Sequence, residues 1–151
     1  AESGPWRNFY LTGARDLFKK DVPYTSQLIN DGVLAQMDMG TLLDYCAIQL
    51  NGKKAAGKEA VININFTDTK EKVMLMLNNE VLNHRLDSQD KKADLTLEIA
   101  KMDFVKLFFG RTDLQTLLKT NKVRTTGNTK AMEVICSAYE PADPNFKIVL
   151  P

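Results

Sequence analysis

Between Lys58 and Ile99 the chain reads KEAVININFTDTKEKVMLMLNNEVLNHRLDSQDKKADLTLEI. Apolar residues at every second position line one face of a pleated strand, and four short runs follow that rule. Ile62, Ile64 and Phe66 alternate with Asn63, Asn65 and Thr67, which predicts one dry face and one wet face. Val73 to Leu77 is apolar throughout, as suits a strand covered on both faces, and is expected at the centre of the sheet. Val81 to Leu86 sets Leu82, His84 and Leu86 against Val81, Asn83 and Arg85, after an Asn78-Asn79 pair with turn chemistry. Ala93, Leu95, Leu97 and Ile99 alternate with Asp94, Thr96 and Glu98. Thr67 to Lys70 is short enough for a hairpin. The four runs read as an antiparallel meander with one face left for helices to cover.

On either side of this stretch the period changes to that of helices. The opening, Trp6 to Phe18, is dense in aromatics and becomes helical towards Leu17 and Phe18, and apolar matter of that extent marks a contact surface. Pro23 opens a second helical stretch, Tyr24 to Gln36, and Met37-Asp38-Met39-Gly40 reads as a break. Thr41 with Asp44 resembles a capping box for a helix carrying Leu43, Ala47 and Leu50, which Asn51-Gly52 is expected to end. Beyond the fourth strand, Met102, Phe104, Val105, Leu107, Phe108 and Phe109 cover most of a helix circumference, so that helix is buried or lines a cavity. Gly110 stops it and Asp113 caps another through Leu114, Leu117 and Leu118. Lys122 to Thr126 is a fifth strand turned by Gly127-Asn128. A last helix runs from about Thr129 to Tyr139, with Met132, Ile135, Cys136 and Tyr139 inward, and an extended apolar tail follows Pro144. The sum is an α+β fold, a five-stranded and mainly antiparallel sheet covered by helices on one side.

At 151 residues and 44% hydrophobic, the chain can bury a substantial core. A net charge of +1, with no basic stripe among aromatics, argues against nucleic acid as a partner. No run approaches the ~20 apolar residues that span a bilayer, and the first residues lack the pattern of a signal peptide. Cys46 and Cys136 lie in apolar helical contexts. Two buried free thiols are the simpler reading and a disulfide the alternative.

Catalytic signatures are missing from the pattern. The single histidine, His84, shares a strand face with leucines and reads as structural. No histidine pair, Cys-x-x-Cys or phosphate-binding glycine loop has the spacing its chemistry needs, and the carboxylates sit on turns or wet faces. No cofactor is expected. What is abundant is soft apolar matter: Phe66, Met74, Met76, Phe104, Phe108, Phe109 and Met132. Such residues fill a core, or reshape around a flexible guest. Periodicity does not separate these two readings.

Three stretches carry a family resemblance. TLLDYCAIQLNGKKAAGK at 41–58 with FTDT at 66–69, DPNFKIV at 143–149, and WRNFYLTGARDL at 6–17 resemble the C-terminal part of bacterial alkyl sulfatases of the metallo-β-lactamase superfamily. The last of them is similar to the end of the dimerisation domain of those enzymes. KVRTTGN at 122–128 resembles the Gly-Lys-Leu-Lys-Ile-x-Gly-Asn strand and turn of sterol carrier proteins, with Asn121 in place of the first glycine and Thr125 in place of an apolar residue.

The resemblance implies a helical arm over residues 1–37 and a sterol-carrier-like domain over 38–151. That domain would bind an aliphatic ligand (alkyl sulfate, fatty acid or sterol-like molecule) in an apolar cavity lined by the seven residues named above. It implies no catalysis by this chain alone, zinc chemistry in a separate upstream domain or a second copy as partner, and a soluble protein of the bacterial periplasm or exterior. An assembly module with no small ligand is the alternative, and deleting residues 1–20 would distinguish it. A hydrolase built on His84 is a third reading, one that His84→Ala would test.

Overall fold

A computed structural model describes residues 3–18 and 30–141. The strands are β1 (Ala60–Phe66), β2 (Lys72–Asn78), β3 (Val81–Leu86), β4 (Leu95–Ile99) and β5 (Val123–Gly127), in the spatial order β3-β2-β1-β4-β5. β1, β2 and β3 form the expected antiparallel meander. β4 then returns on the other side of β1 and pairs parallel to it, with Ile62 beside Leu95 and Phe66 beside Ile99. β5 closes the edge antiparallel to β4. The expectation of a four-strand meander is thus corrected at its last strand, and the centre of the sheet is β1 rather than β2.

The turns follow residue chemistry. Asn79 and Glu80 both take positive φ, 47° and 66°, as a two-residue hairpin requires if its twist is to match the strands. At the start of β5, Asn121 adopts φ 54°, the left-handed conformation that asparagine tolerates best after glycine. Asn121 thus takes a conformation that glycine would also reach without strain.

Alternation divides the sheet into two faces. Ile62, Ile64, Phe66, Val73, Leu75, Leu77, Leu82, Leu95, Leu97, Ile99 and Val123 lie in one buried core. Asn63 points to the other face, yet it is only 6% exposed. Its amide pairs with the Asp90 peptide twice: Nδ2 donates to Asp90 O at 2.7 Å and Oδ1 accepts from Asp90 N at 2.9 Å. The connection from β3 to β4 has to cross this face to reach the far side of β1. The face expected to be wet is covered at that point, and the buried amide is satisfied as burial demands.

The helices are α1 (Gly4–Phe18), α2 (Asp31–Gln36), α3 (Met39–Ile48), α4 (Gly52–Ala55), α5 (Lys101–Phe108), α6 (Leu114–Lys119) and α7 (Lys130–Ser137). α3 starts at Asp38, whose carboxylate accepts from Thr41 N at 2.9 Å and from Thr41 Oγ1 at 2.6 Å, so Asp38 is the cap and Thr41 its third-position partner. α3 ends at Ile48, before Asn51-Gly52. Asn51 instead caps α4, accepting from Lys54 N at 3.2 Å, and Gly52 opens that turn rather than closing the previous helix. Gly110, with φ 66°, ends the α5 segment as expected, and Asp113 caps α6 through Thr116.

Two compact units emerge. Residues 29–141 hold the sheet and α2 to α7, and α1 belongs to the other. The expected division at residues 37 and 38 passes between α2 and α3, both in the larger unit. Leu34 of α2 is 1% exposed, and buried Lys101 donates its Nζ to Ala35 O at 3.0 Å and to Met37 O. α1 is helical from Gly4, and Trp6, Phe9, Tyr10, Leu11, Leu17 and Phe18 are all exposed on it. The helical stretch expected from Tyr24 lies outside the described residues up to 29, as does the tail at 146–150.

Candidate functional site

β1 and the helices bring aromatic rings together in a connected file that widens at its outer end, where Phe108, Phe109 and Tyr139 all meet one another. Phe66, the last residue of β1, meets Phe104 of α5 edge to face at 5.6 Å between ring centroids. Phe108 follows one helical turn later at 6.1 Å, the i to i+4 spacing that stacks side chains on one face. Phe109 stands 5.3 Å from Phe108, then 5.3 Å from Tyr139 and 5.8 Å from Tyr45 of α3. Edge-to-face contacts of this kind suit the ring quadrupoles. Phe66, Phe104 and Phe108 are buried, whereas Phe109, Tyr45 and Tyr139 are half-buried. The file therefore runs from the sheet to the surface.

Its outer end is held by polar contacts. Tyr139 forms an isolated antiparallel bridge with Leu50, flanked by Asn51 N donating to Ala138 O at 2.8 Å and Glu140 N donating to Gln49 O at 3.0 Å. The Glu140 carboxylate accepts from Asn51 Nδ2 and pairs with Lys54 at 3.3 Å. On the α5 side the left-handed Gly110 reverses the chain, and Arg111 N donates to Lys106 O at 2.8 Å. The Arg111 guanidinium pairs with Asp31 of α2. Burial pushes the Tyr139 phenol up, the neighbouring Tyr45 adds to this, and the Arg111 charge pulls the other way.

Four of the seven residues expected at the site, Phe66, Phe104, Phe108 and Phe109, are thus brought together, and Met132 of α7 is buried in the same core. Met74 and Met76 are not. Their register partners are Asn63 and Val61, so they face away from Phe66, and the expectation that they line one space with the phenylalanines is corrected. A run that is apolar at every position hides which residues point which way. Tyr139 reads as an inward helix position, but nothing in the sequence joins it to the phenylalanines; Tyr45 and Arg111 carry no periodic signal, and only the bridge at Tyr139 and the reversal at Gly110 set the three at one rim.

His84 lies on the core face, half-buried, with Nδ1 3.8 Å from Asp44 Oδ1. Among the described residues no group of three His, Cys, Asp or Glu side chains could hold a metal ion, and no helix is long and apolar enough to cross a membrane. Cys46 and Cys136 are free thiols. Surface depressions at Gly57, Lys58, Glu59, Asn79 and Glu80, and at Thr67, Glu98 and 121–124, are lined by other residues than the aromatic file.

The family described as alkyl sulfatase C-terminal matches residues 27–151. A linear primary-alkylsulfatase of Pseudomonas sp. is 35% identical over 153 residues, covering 100% of this chain and 23% of its own length. An (R)-specific secondary-alkylsulfatase of Pseudomonas sp. is 31% identical over 156 residues, covering 99% of this chain and 22% of its own. The solved structure of a stereoselective inverting sec-alkylsulfatase from Pseudomonas sp. superposes with a TM-score of 0.86 at 30% identity, over 98% of this chain and 23% of that one. The chain thus spans less than a quarter of the length of these relatives. With residues 27–151 matched and the fold shared with a solved alkylsulfatase, the chain belongs to the alkyl sulfatase C-terminal family.

Proposed function

We propose that this chain binds the aliphatic tail of an amphiphile along the aromatic file, as the tail-recruiting C-terminal domain of an alkyl sulfatase whose zinc-dependent chemistry resides upstream. The observation that carries this reading is the gradient of burial along the file, from Phe66 against the sheet to Phe109, Tyr45 and Tyr139 at the rim. A tail enters by parting the half-buried rim and exchanging ring contacts for methylene contacts. Each methylene removed from water contributes roughly 0.8 kcal/mol, less the cost of ordering the tail and the rings. A medium chain buried over most of its length reaches micromolar affinity, about −8 kcal/mol.

Titration calorimetry with a medium-chain alkyl sulfate or fatty acid, kept below its micelle threshold, should give saturable heat and a raised melting temperature. Phe109→Ala, at the rim, should weaken binding about tenfold by removing apolar contact area. Neither heat nor thermal shift with any chain length would end the reading. The rival, an assembly module, rests on the exposed aromatic face of α1. Loss of a dimer in size-exclusion chromatography on deletion of residues 1–20, with no ligand binding in the titrations, would favour it.

A further inference from the structure

The rim of the aromatic file carries charged side chains as well as rings. Two carboxylate and cation pairs stand there, and they differ in how they are built. Glu140 is engaged twice, by Lys54 and by Asn51, and is committed to fixing Tyr139. Arg111 pairs with Asp31, which comes from α2, and the two side chains are 46% and 54% exposed. A pair in that much water is held weakly, because solvent competes for both partners. Arg111 meanwhile follows Phe109 by two residues across a left-handed glycine, and its backbone N–H donates to Lys106 O at 2.8 Å. A planar fork of donors matches an oxyanion with two oxygens to offer.

We propose that Arg111 selects the headgroup of the ligand: it exchanges Asp31 for the oxyanion of an aliphatic sulfate ester or carboxylate whose tail lies along the aromatic file. This assignment rests on the tail-binding reading above. It makes the preferred ligand an anionic amphiphile rather than a neutral sterol-like molecule, and it makes Asp31 an internal competitor for the same guanidinium.

The test is titration calorimetry with decyl sulfate, decanoate and decanol, each below its micelle or solubility limit, on the unmodified chain and on Arg111→Gln, Arg111→Lys and Asp31→Asn. The unmodified chain should bind the anions about tenfold more tightly than the alcohol, a charge-assisted contact being the difference. Arg111→Gln should bring the anions down to the alcohol and leave decanol unchanged, with Arg111→Lys in between because it keeps the charge and loses the fork. Asp31→Asn should tighten both anions. A preference for sulfate over carboxylate, or the reverse, identifies the source of the headgroup within the proposal. Equal affinity for all three ligands in the unmodified chain, or an Arg111→Gln variant that weakens decanol as much as the anions, overturns the assignment while leaving tail binding in place. Failure of all three to bind overturns tail binding itself and the assignment with it.

Discussion

Gly127 shows how a single position can be fixed by its neighbours. Its φ is 110°, and a Cβ added there would lie 2.4 Å from Asp94 O. That oxygen also accepts from Asn128 N at 2.8 Å, while Asp94 Oδ2 accepts from Val61 N at 2.8 Å. Asp94 thereby ties the start of β4 to β1 and to the end of β5 at once, and none of the three can shift to make room. Gly127→Ala should cost more than about 1 kcal/mol, as incompatible backbone positions do, and thermal unfolding followed by circular dichroism would report it. A variant as stable as the parent would show that the β5 turn relaxes freely. Asn128→Ala should be milder, since the Asn128 N donor survives it.

Among the elements, α3 and α6 begin in the same way, with an aspartate accepting from the amide and hydroxyl of a threonine three residues on. These hydrogen bonds hold both carboxyls below the ordinary aspartate value, the Thr41 hydroxyl contributing most at Asp38 and the Thr116 amide at Asp113. A value lower in the folded than in the unfolded chain means that the capping contribution is complete above the unfolded value, near pH 4, and is lost as pH falls through the folded one. Asn is as good a cap and does not titrate. The pair of changes Asp38→Asn and Asp113→Asn should therefore flatten the fall in melting temperature below pH 4 and leave it nearly unchanged at pH 7. An identical acid limb in parent and variant would refute the account. The Asp113 cap was legible in the sequence, whereas Asp38 was read as part of a break, because Thr41 with Asp44 offered a competing box one turn later. The same limit applies to the sheet. Alternation located β1, β3 and β4, but β2 looked central because it is apolar at every position, and nothing local in β1 announces a parallel neighbour 33 residues on, Ile62 beside Leu95. Pairing across the chain is decided by crossover geometry, which local pattern does not encode. The phenylalanines of the candidate site were legible for the opposite reason, since they sit close together on one helix and at one strand end.

At the scale of the larger unit, α2 to α7 and the sheet share one core, and the two thiols sample it from two helices. Cys46 of α3 is fully buried, and Cys136 of α7 lies against Leu107 O at 3.7 Å. Burial foremost pushes both thiols up to about 12, with Cys136 adding to the effect at Cys46 and Glu133 at Cys136. At pH 8 they hold almost no thiolate, and the thiolate is the reactive form. Modification by a disulfide reagent must then wait for an opening that exposes them, so its rate measures the population of that opening. If the thiols are reached only by disrupting the aromatic file, a bound tail opposes the opening. At about a hundred times its dissociation constant the ligand should slow modification about a hundredfold. If the thiols are instead reached by the same parting of the rim that admits the tail, ligand will raise the rate. Stopped-flow absorbance with and without decyl sulfate separates these cases, and Cys46→Ser and Cys136→Ser show which helix moves. Slowing at both thiols places the ligand inside the shared core, slowing at Cys136 alone places it beside α5 and α7, and a rate independent of ligand concentration in all variants contradicts binding along the file.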